Sequence, residues 1–97
     1  MPVNHQVWIK FRDDVPAETI EDILTGLRGL RGKVPGILDL SVGRNFTDRA
    51  NGHQYGLMVI LQDKAALDGY GPHPAHVEVA KKIRANAESA MALDYEF

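Results

Sequence analysis

The sequence predicts an α+β fold of the ferredoxin-like type, a βαββαβ unit with one antiparallel sheet and its main helices on one face. Four segments alternate apolar and polar residues with the period of a strand. Two further segments space their apolar residues by three and four, as an amphipathic helix does. The order strand, helix, strand, strand, helix, strand along the chain is the split βαβ arrangement.

Length and composition predict one cytoplasmic domain that spans residues 1–97. The 97 residues are 44% apolar and 25% charged, with a formal net charge of −2 and no cysteine. The absence of cysteine excludes disulfides and cysteine nucleophiles, and the lack of a basic block argues against nucleic acid as a partner. We see no signal-peptide pattern at residues 1–11 and no apolar run of membrane-spanning length, about 18 residues. We therefore expect no membrane contact.

The first strand and the first helix show the clearest patterns. Asp13 and Asp14 stand just before Pro16, which predicts a capping carboxylate and a proline in the first turn of the helix. The strand at residues 3–11 places five side chains on one face: Val3, His5, Val7, Ile9 and Phe11. The apolar stripe of the helix is formed by Ile20, Ile23, Leu24, Leu27 and Leu30.

The middle of the chain predicts two more strands. Residues 37–46 alternate, with Leu38, Leu40 and Val42 on the inward face, and residues 45–52 form a polar loop. Residues 55–61 are apolar on both faces, which predicts a central strand covered on both sides.

The last third predicts a short helix, a longer helix and a strand. Asp63 can cap a helix over 64–70, which Gly71 and Pro72 end. His73 then lies at the N-cap of a helix that runs from Pro74 to about residue 87, and residues 91–97 alternate as a closing strand.

The sheet face that the helices leave open predicts a homodimer. It carries Trp8, Met58 and Ile60, which are too apolar to remain in water. A second copy of the same chain would cover this face with two-fold symmetry.

Two histidines are directed toward the space between the helices and the sheet. His76 falls on the apolar stripe of the last helix, and His5 lies on the inward face of the first strand. A histidine among apolar groups stays neutral and can act as a base. Tyr70, one turn before His76, can offer its hydroxyl to a developing enolate oxygen. We therefore predict His76, Tyr70 and His5 as candidate catalytic residues.

Other interpretations of the histidines remain open. His5 and His76 can be structural residues with satisfied hydrogen bonds, and His73 can serve only as a helix cap. A metal site would use His73 and His76, three residues apart, with His5 as a third ligand. We expect His53 to be exposed beside the polar loop. No motif for a cofactor is present, so neither a cofactor nor a bound metal is predicted.

The pattern of these residues resembles the Dabb family of stress-responsive dimeric α/β-barrel domains. The resemblance is carried by four segments in order, which cover nearly the whole chain: His5 in an H-x-V-x-x-K-F strand, KVPGILDLSVGRNF, HQYGLMVILQD and Y-x-x-HPAH. It implies a ferredoxin-like protomer whose sheets pair face to face in a homodimer.

The resemblance also implies a site. Most members of the family have no assigned reaction, and a few, of the olivetolic acid cyclase type, are polyketide cyclases that act on poly-β-ketone thioesters. In those cyclases the second histidine of the HPxH motif is the acid/base, supported by the preceding tyrosine and the histidine of the first strand. By motif these residues are His76, Tyr70 and His5.

Two functions follow as expectations. The first is a domain without catalysis that binds a small, largely apolar molecule in a cavity between sheet and helices. The second is a cofactor-independent acid/base enzyme, a cyclase, lyase or isomerase for a β-keto substrate, with His76 as base. A haem-degrading or quinone-forming monooxygenase is a more distant alternative. The residues predicted to contact the ligand are Val7, Ile9, Ile23, Leu24, His73 and Ile83.

Overall fold

The computed structural model describes residues 1–97 and contains four strands and three α-helices. The strands are β1 (Val3–Phe11), β2 (Ile37–Arg44), β3 (Tyr55–Leu61) and β4 (Ala87–Glu96). The helices are α1 (Ala17–Gly29), followed by a 3-10 turn (Leu30–Gly32), α2 (Lys64–Tyr70) and α3 (Pro74–Asn86). The predicted α+β ferredoxin-like fold is confirmed. None of the helices is both long and apolar enough to cross a membrane.

The four strands form one antiparallel sheet in the order β2-β3-β1-β4. The two apolar strands β1 and β3 are therefore the inner strands, as the apolar character of β3 on both faces predicted. In β1, His5 lies opposite Val59 of β3 on one side and opposite Asp94 of β4 on the other. This register decides which side chains reach the candidate site.

The core lies between the three helices and one face of the sheet. Alternation directs Ile9 of β1 and Val59 of β3 toward the helices, and both are fully buried. Burying a side chain of this size contributes about 1.5–3 kcal/mol to the free energy of unfolding. The buried hydrophobic residues are Val3, Ile9, Phe11, Ile23, Leu24, Leu27, Leu30, Val34, Leu57, Val59, Leu61, Tyr70 and Val79.

The start of α1 differs from the prediction. Pro16 is itself the N-cap, with an extended ψ of 147°, and no side chain caps the helix. The Pro16 carbonyl accepts hydrogen bonds from the backbone N–H groups of Thr19 and Ile20 at 3.1 and 3.2 Å. Asp14 instead accepts a hydrogen bond from Arg12 Nε at 3.3 Å. The expected aspartate cap was wrong, since Asp14 pairs with Arg12 instead and Pro16 occupies the N-cap position.

The inward face of β2 also differs from the prediction at one residue. The pairing of β2 with β3 shifts between Ile37 and Asp39, so Leu38 is the extra residue of an irregularity. Ile37 packs against the core with Leu40 and Val42, whereas Leu38 is half exposed. A bulge moves one side chain off its face, and simple alternation therefore assigned Leu38 wrongly.

The last strand begins at Ala87, directly after α3, rather than at residue 91. Its first residues pair with the end of β1, with Ser89 opposite Lys10 and Ala87 opposite Phe11. The ion pair between Lys10 Nζ and Glu88 Oε2, at 2.8 Å, lies in this added segment. The small and polar residues 87–90 carry no alternating pattern, which is why periodicity did not reveal this part of β4.

Candidate functional site

His5 lies in the middle of the sheet and is bound by a carboxylate. Its side chain points toward the helices and the residue is only 9% exposed. Its Nδ1 is hydrogen-bonded to Asp94 Oδ1 on the neighbouring strand β4. Because a carboxylate accepts, Nδ1–H donates, and in the neutral ring Nε2 keeps its lone pair. Asp94 therefore fixes both the orientation and the tautomer of His5.

Tyr70, the last residue of α2, lies between the two candidate histidines. Its ring centroid is 5.4 Å from that of His5 in an edge-on arrangement and 4.4 Å from that of His76 in a tilted one. The residue is 1% exposed, and its hydroxyl group has no hydrogen-bond partner. Burial raises the pKa of Tyr70 to about 12, because the phenolate would lose its hydration. The phenol therefore stays protonated and retains an unused donor.

His76 is held by the backbone between α2 and α3. Its Nδ1–H donates a hydrogen bond to the carbonyl oxygen of Gly71 at 2.9 Å. The carbonyl can only accept, so the neutral ring keeps a lone pair on Nε2. His76 is half-buried. The predicted trio of His5, Tyr70 and His76 thus forms a contiguous row with Tyr70 in the centre.

His73 lies apart from this row. As predicted, it is the N-cap of α3, and its Nδ1 accepts a hydrogen bond from the Ala75 N–H at 3.1 Å. Its ring lines a separate groove between the segment before β2 and α2, which also includes Gly36 and Asp63. No three His, Asp or Glu side chains of the structure converge as metal ligands. The structure therefore does not bring His73 into one cluster with His5 and His76.

The apolar residues predicted to contact a ligand differ in accessibility. Ile9 and Ile23 are 0% exposed and Leu24 is 4% exposed, so these three belong to the closed core. Val7 and Ile83 are half-buried and pack against the outside of that core. A molecule can touch the first three residues only if the core opens.

An open groove begins at Asp94, the residue that is hydrogen-bonded to His5. It has a volume of about 470 Å³, within the usual range of about 300–1,000 Å³ for small-molecule sites. It runs between α2 and the end of the β1–β4 pair, and Asp94 joins it to His5. The lining residues are Val3, Lys64, Leu67, Asp68, Asp94, Tyr95 and Glu96.

Asp94 is the residue that sequence reasoning missed. The alternation of the closing strand directs Asp94 to the side opposite Leu93 and Tyr95, which is the helix side. A carboxylate on the inward face of a strand was the available signal. Its partner became visible only from the register that sets Asp94 opposite His5.

His53 was expected to be exposed, and this expectation was wrong. It is 5% exposed, its Nδ1–H donates to the Ala50 carbonyl at 2.7 Å, and its Nε2 accepts from the Ser89 hydroxyl at 3.0 Å. The early start of β4 places Ser89 next to the loop between β2 and β3. His53 is therefore a structural residue that joins this loop to β4.

Comparison with known proteins identifies related chains. Residues 3–97 match the Stress Responsive A/B Barrel Domain family. The chain is 26% identical to the stress-response A/B barrel domain-containing protein HS1 of Arabidopsis thaliana, covering 98% of this chain and 89% of HS1. It is 25% identical to the olivetolic acid cyclase of Cannabis sativa, covering 98% of this chain and 96% of the cyclase.

Solved structures with the same fold include a dimeric ferredoxin-like protein of unknown function from Bacteroides fragilis. It is 29% identical, with a TM-score of 0.84, and the match covers 99% of this chain and 96% of that protein. The hydroxynitrile lyase of Passiflora edulis is 20% identical, with a TM-score of 0.89 and coverage of 97% and 91%. This second similarity concerns the fold alone.

Proposed function

Since the chain belongs to the family of stress-responsive A/B barrel domains, we propose that it binds a small, largely apolar molecule between sheet and helices. The binding place is the groove beside Asp94. One observation carries this proposal: Asp94 on the groove wall is hydrogen-bonded to His5, the first ring of a buried row in which the Tyr70 hydroxyl has no partner. A buried polar group without a partner costs roughly 1–3 kcal/mol. Tyr70 itself does not line the groove, so a ligand oxygen would remove this cost only where the packing beside His5 opens toward Tyr70.

The test of binding uses amide chemical shifts and thermal unfolding with small neutral phenols and aryl ketones. We expect shifts concentrated at Val3, Leu67 and Asp94. A ligand near a hundred times its Kd stabilises by about 2.7 kcal/mol, which raises Tm by roughly 10 °C or more for a domain of this size.

A pair of variants shows whether the groove is the site. Leu67→Trp fills the groove, whereas Ala65→Trp adds the same ring system at an exposed position of α2 that borders the separate groove of His73. Binding lost in Leu67→Trp and kept in Ala65→Trp supports the proposal. Equal binding by both variants would locate the ligand elsewhere.

A second candidate function is acid/base catalysis on a β-keto compound. It is favoured by the hydrogen bond from His76 to the Gly71 carbonyl, which leaves the Nε2 lone pair available as a base. In this mechanism Nε2 takes the proton from the carbon between two carbonyl groups. The Tyr70 hydroxyl then donates to the enolate oxygen, and the Asp94–His5 pair holds the Tyr70 ring in place.

Proton abstraction can be measured directly, without a known product. In D₂O we expect the protein to accelerate deuterium uptake at the central carbon of a neutral β-diketone, followed by ¹H NMR. The acceleration should disappear in His76→Ala and persist in His73→Asn, which keeps a capping side chain on α3. If deuterium uptake with the wild-type protein occurred at the rate of the buffer, catalysis would be excluded and binding would remain as the proposed function.

We further propose that the functional unit is a homodimer. The sheet face opposite the helices exposes Trp8, Met91, Leu93 and Tyr95 by 40 to 60%. Gly43 and Gly56 lack side chains beside Trp8, where a hollow of about 280 Å³ can receive groups from a second copy. The related Bacteroides fragilis protein is described as dimeric. The cytoplasmic location expected from the sequence remains a prediction.

A further inference from the structure

We propose that the groove beside Asp94 selects neutral or cationic molecules and excludes compounds that carry a phosphate or a carboxylate. This inference rests on the binding function proposed above and names the chemical class of the ligand. A phosphate-bearing acyl carrier would not be accepted, whereas an aryl ketone, an aldehyde or an aryl amine would be.

The charges on the groove walls carry the proposal. Helix α2 contributes Lys64 and Asp68, strand β4 contributes Asp94 and Glu96, and β1 contributes only the apolar Val3. Three carboxylates thus face one ammonium group. An acidic groove of this kind repels anions and concentrates cations.

The single cation on the walls is already engaged. Lys64 Nζ lies 3.3 Å from Glu96 Oε1, so its charge is compensated within the groove. Asp94 takes part in the hydrogen bond with His5, while Asp68 forms no ion pair. An entering anion would therefore meet Asp68 and Asp94 without a free positive partner.

The remaining groove walls are apolar. Val3 is buried and Leu67 is half-buried, and both line the groove. They fit a ligand with one apolar part, such as a phenyl ring. The groove at the start of α1 differs in charge, since it carries one residue of each sign, Glu21 and Arg44.

The size of the expected effect follows from Coulomb's law. In a partly solvated groove, each carboxylate that lies about 6–8 Å from a bound anion makes the free energy of binding less favourable by of the order of one kT. Two uncompensated carboxylates therefore predict that an anion binds about tenfold more weakly than its neutral isostere at low salt. At 1 M salt the screening length falls to about 3 Å, and the difference should nearly vanish.

The sign of the electrostatic potential in the groove can be measured without any ligand. Two nitroxide probes with the same ring, aminomethyl-PROXYL and carboxy-PROXYL, relax amide protons in proportion to their local concentration. We expect the cationic probe to relax the amides of Val3, Leu67 and Tyr95 about threefold more strongly than the anionic probe at low salt. Equal or stronger relaxation by the anionic probe would overturn the proposal.

Two double variants with the same change of charge locate the effect. Asp68→Asn with Glu96→Gln should abolish the preference for the cationic probe, because Lys64 is then uncompensated. Asp13→Asn with Asp48→Asn, at exposed positions outside the groove, should preserve it. If the preference persisted in the first double variant, the assigned residues would be wrong.

A pair of isosteric compounds separates this inference from the binding function itself. We expect 4-phenyl-2-butanone to bind about tenfold more tightly than 3-phenylpropanoate at low salt, from the amide shifts of the groove residues. Equal binding of the carboxylate would overturn the charge selectivity and leave the binding function intact. A preference for the cationic nitroxide without binding of either compound would support the selectivity and contradict binding of this class.

Discussion

The two parts of the Tyr70 side chain have opposite effects on the stability of the fold. Its ring is one of the largest fully buried side chains of the core, while its hydroxyl is buried without a partner. Removing a polar atom that has no partner also removes its desolvation cost. We therefore expect Tyr70→Phe to raise the free energy of unfolding by about 1 kcal/mol in urea denaturation. A loss of stability would show that the hydroxyl has a partner in solution, such as a bound water.

The same substitution tests the raised pKa of Tyr70. The phenol has a pKa of 10.0 when unfolded and about 12 when folded. Between these values the unfolded chain has lost a proton that the folded chain retains, so the free energy of unfolding falls as pH rises. The wild type should lose about 2 kcal/mol more than Tyr70→Phe between pH 10 and pH 12. Parallel pH profiles for the two proteins would contradict a buried, protonated phenol.

Asp94 is predicted to orient His5 rather than to support the fold strongly. His5 is nearly buried but the Asp94 side chain is 42% exposed, so solvent screens part of the interaction. We expect Asp94→Asn to lower the free energy of unfolding by at most about 1 kcal/mol. We expect the wild type to show a slowly exchanging ¹H NMR signal from His5 Nδ1–H, and this signal should shift or disappear in Asp94→Asn.

Asp68→Asn is the matched control for this substitution. It removes the same charge from the same groove, and Asp68 contacts no imidazole. The His5 signal should stay unchanged in this variant. A signal that responds equally to both variants would indicate a general effect of charge rather than the pairing with Asp94.

At the scale of elements, the junction between α2 and α3 positions the site. Tyr70 ends α2, Gly71 supplies the carbonyl that holds His76, and His73 with Pro74 starts α3. Only three residues separate the end of α2 from the start of α3, so the ring of Tyr70 is brought against that of His76.

His73 contributes to this junction as a cap. We expect His73→Ala to lower the free energy of unfolding by about 1 kcal/mol, because the Ala75 N–H loses its acceptor. His73→Asn should keep most of the stability, since asparagine is a favourable N-cap residue. Both values come from chemical denaturation. Equal stability of the alanine and asparagine variants would exclude a capping role.

At the scale of the whole molecule, the outer sheet face determines assembly. A single chain has a mass of 10.7 kDa, and we expect light scattering after gel filtration to give about twice this value. Trp8→Lys should shift the protein to the monomer, because a charge would be buried in the interface. Ala65→Lys, which adds the same charge on α2, should remain dimeric. A wild-type protein of monomer mass would contradict the proposed homodimer.

The sequence by itself determined the order and type of the elements. Strand and helix periods are local properties of the chain, and the caps at Asp63 and His73 depend only on neighbouring residues. The sequence also pointed to the residues of the row, because alternation directed His5 and helical spacing directed His76 to the same side of the sheet, and Tyr70 lies one turn before His76.

The tertiary structure alone decided how strands pair and where open space remains. The pairing of β1 with β4 joins residues 89 positions apart in the His5–Asp94 contact, and no local pattern contains that register. The same pairing extends β4 to Ala87 and buries His53 through Ser89. Whether an apolar side chain lines a groove or lies in a closed core, as Ile9 and Ile23 do, depends on how all layers pack together. Contacts of this kind follow from the folded arrangement of distant segments, which a residue's neighbours in sequence do not specify.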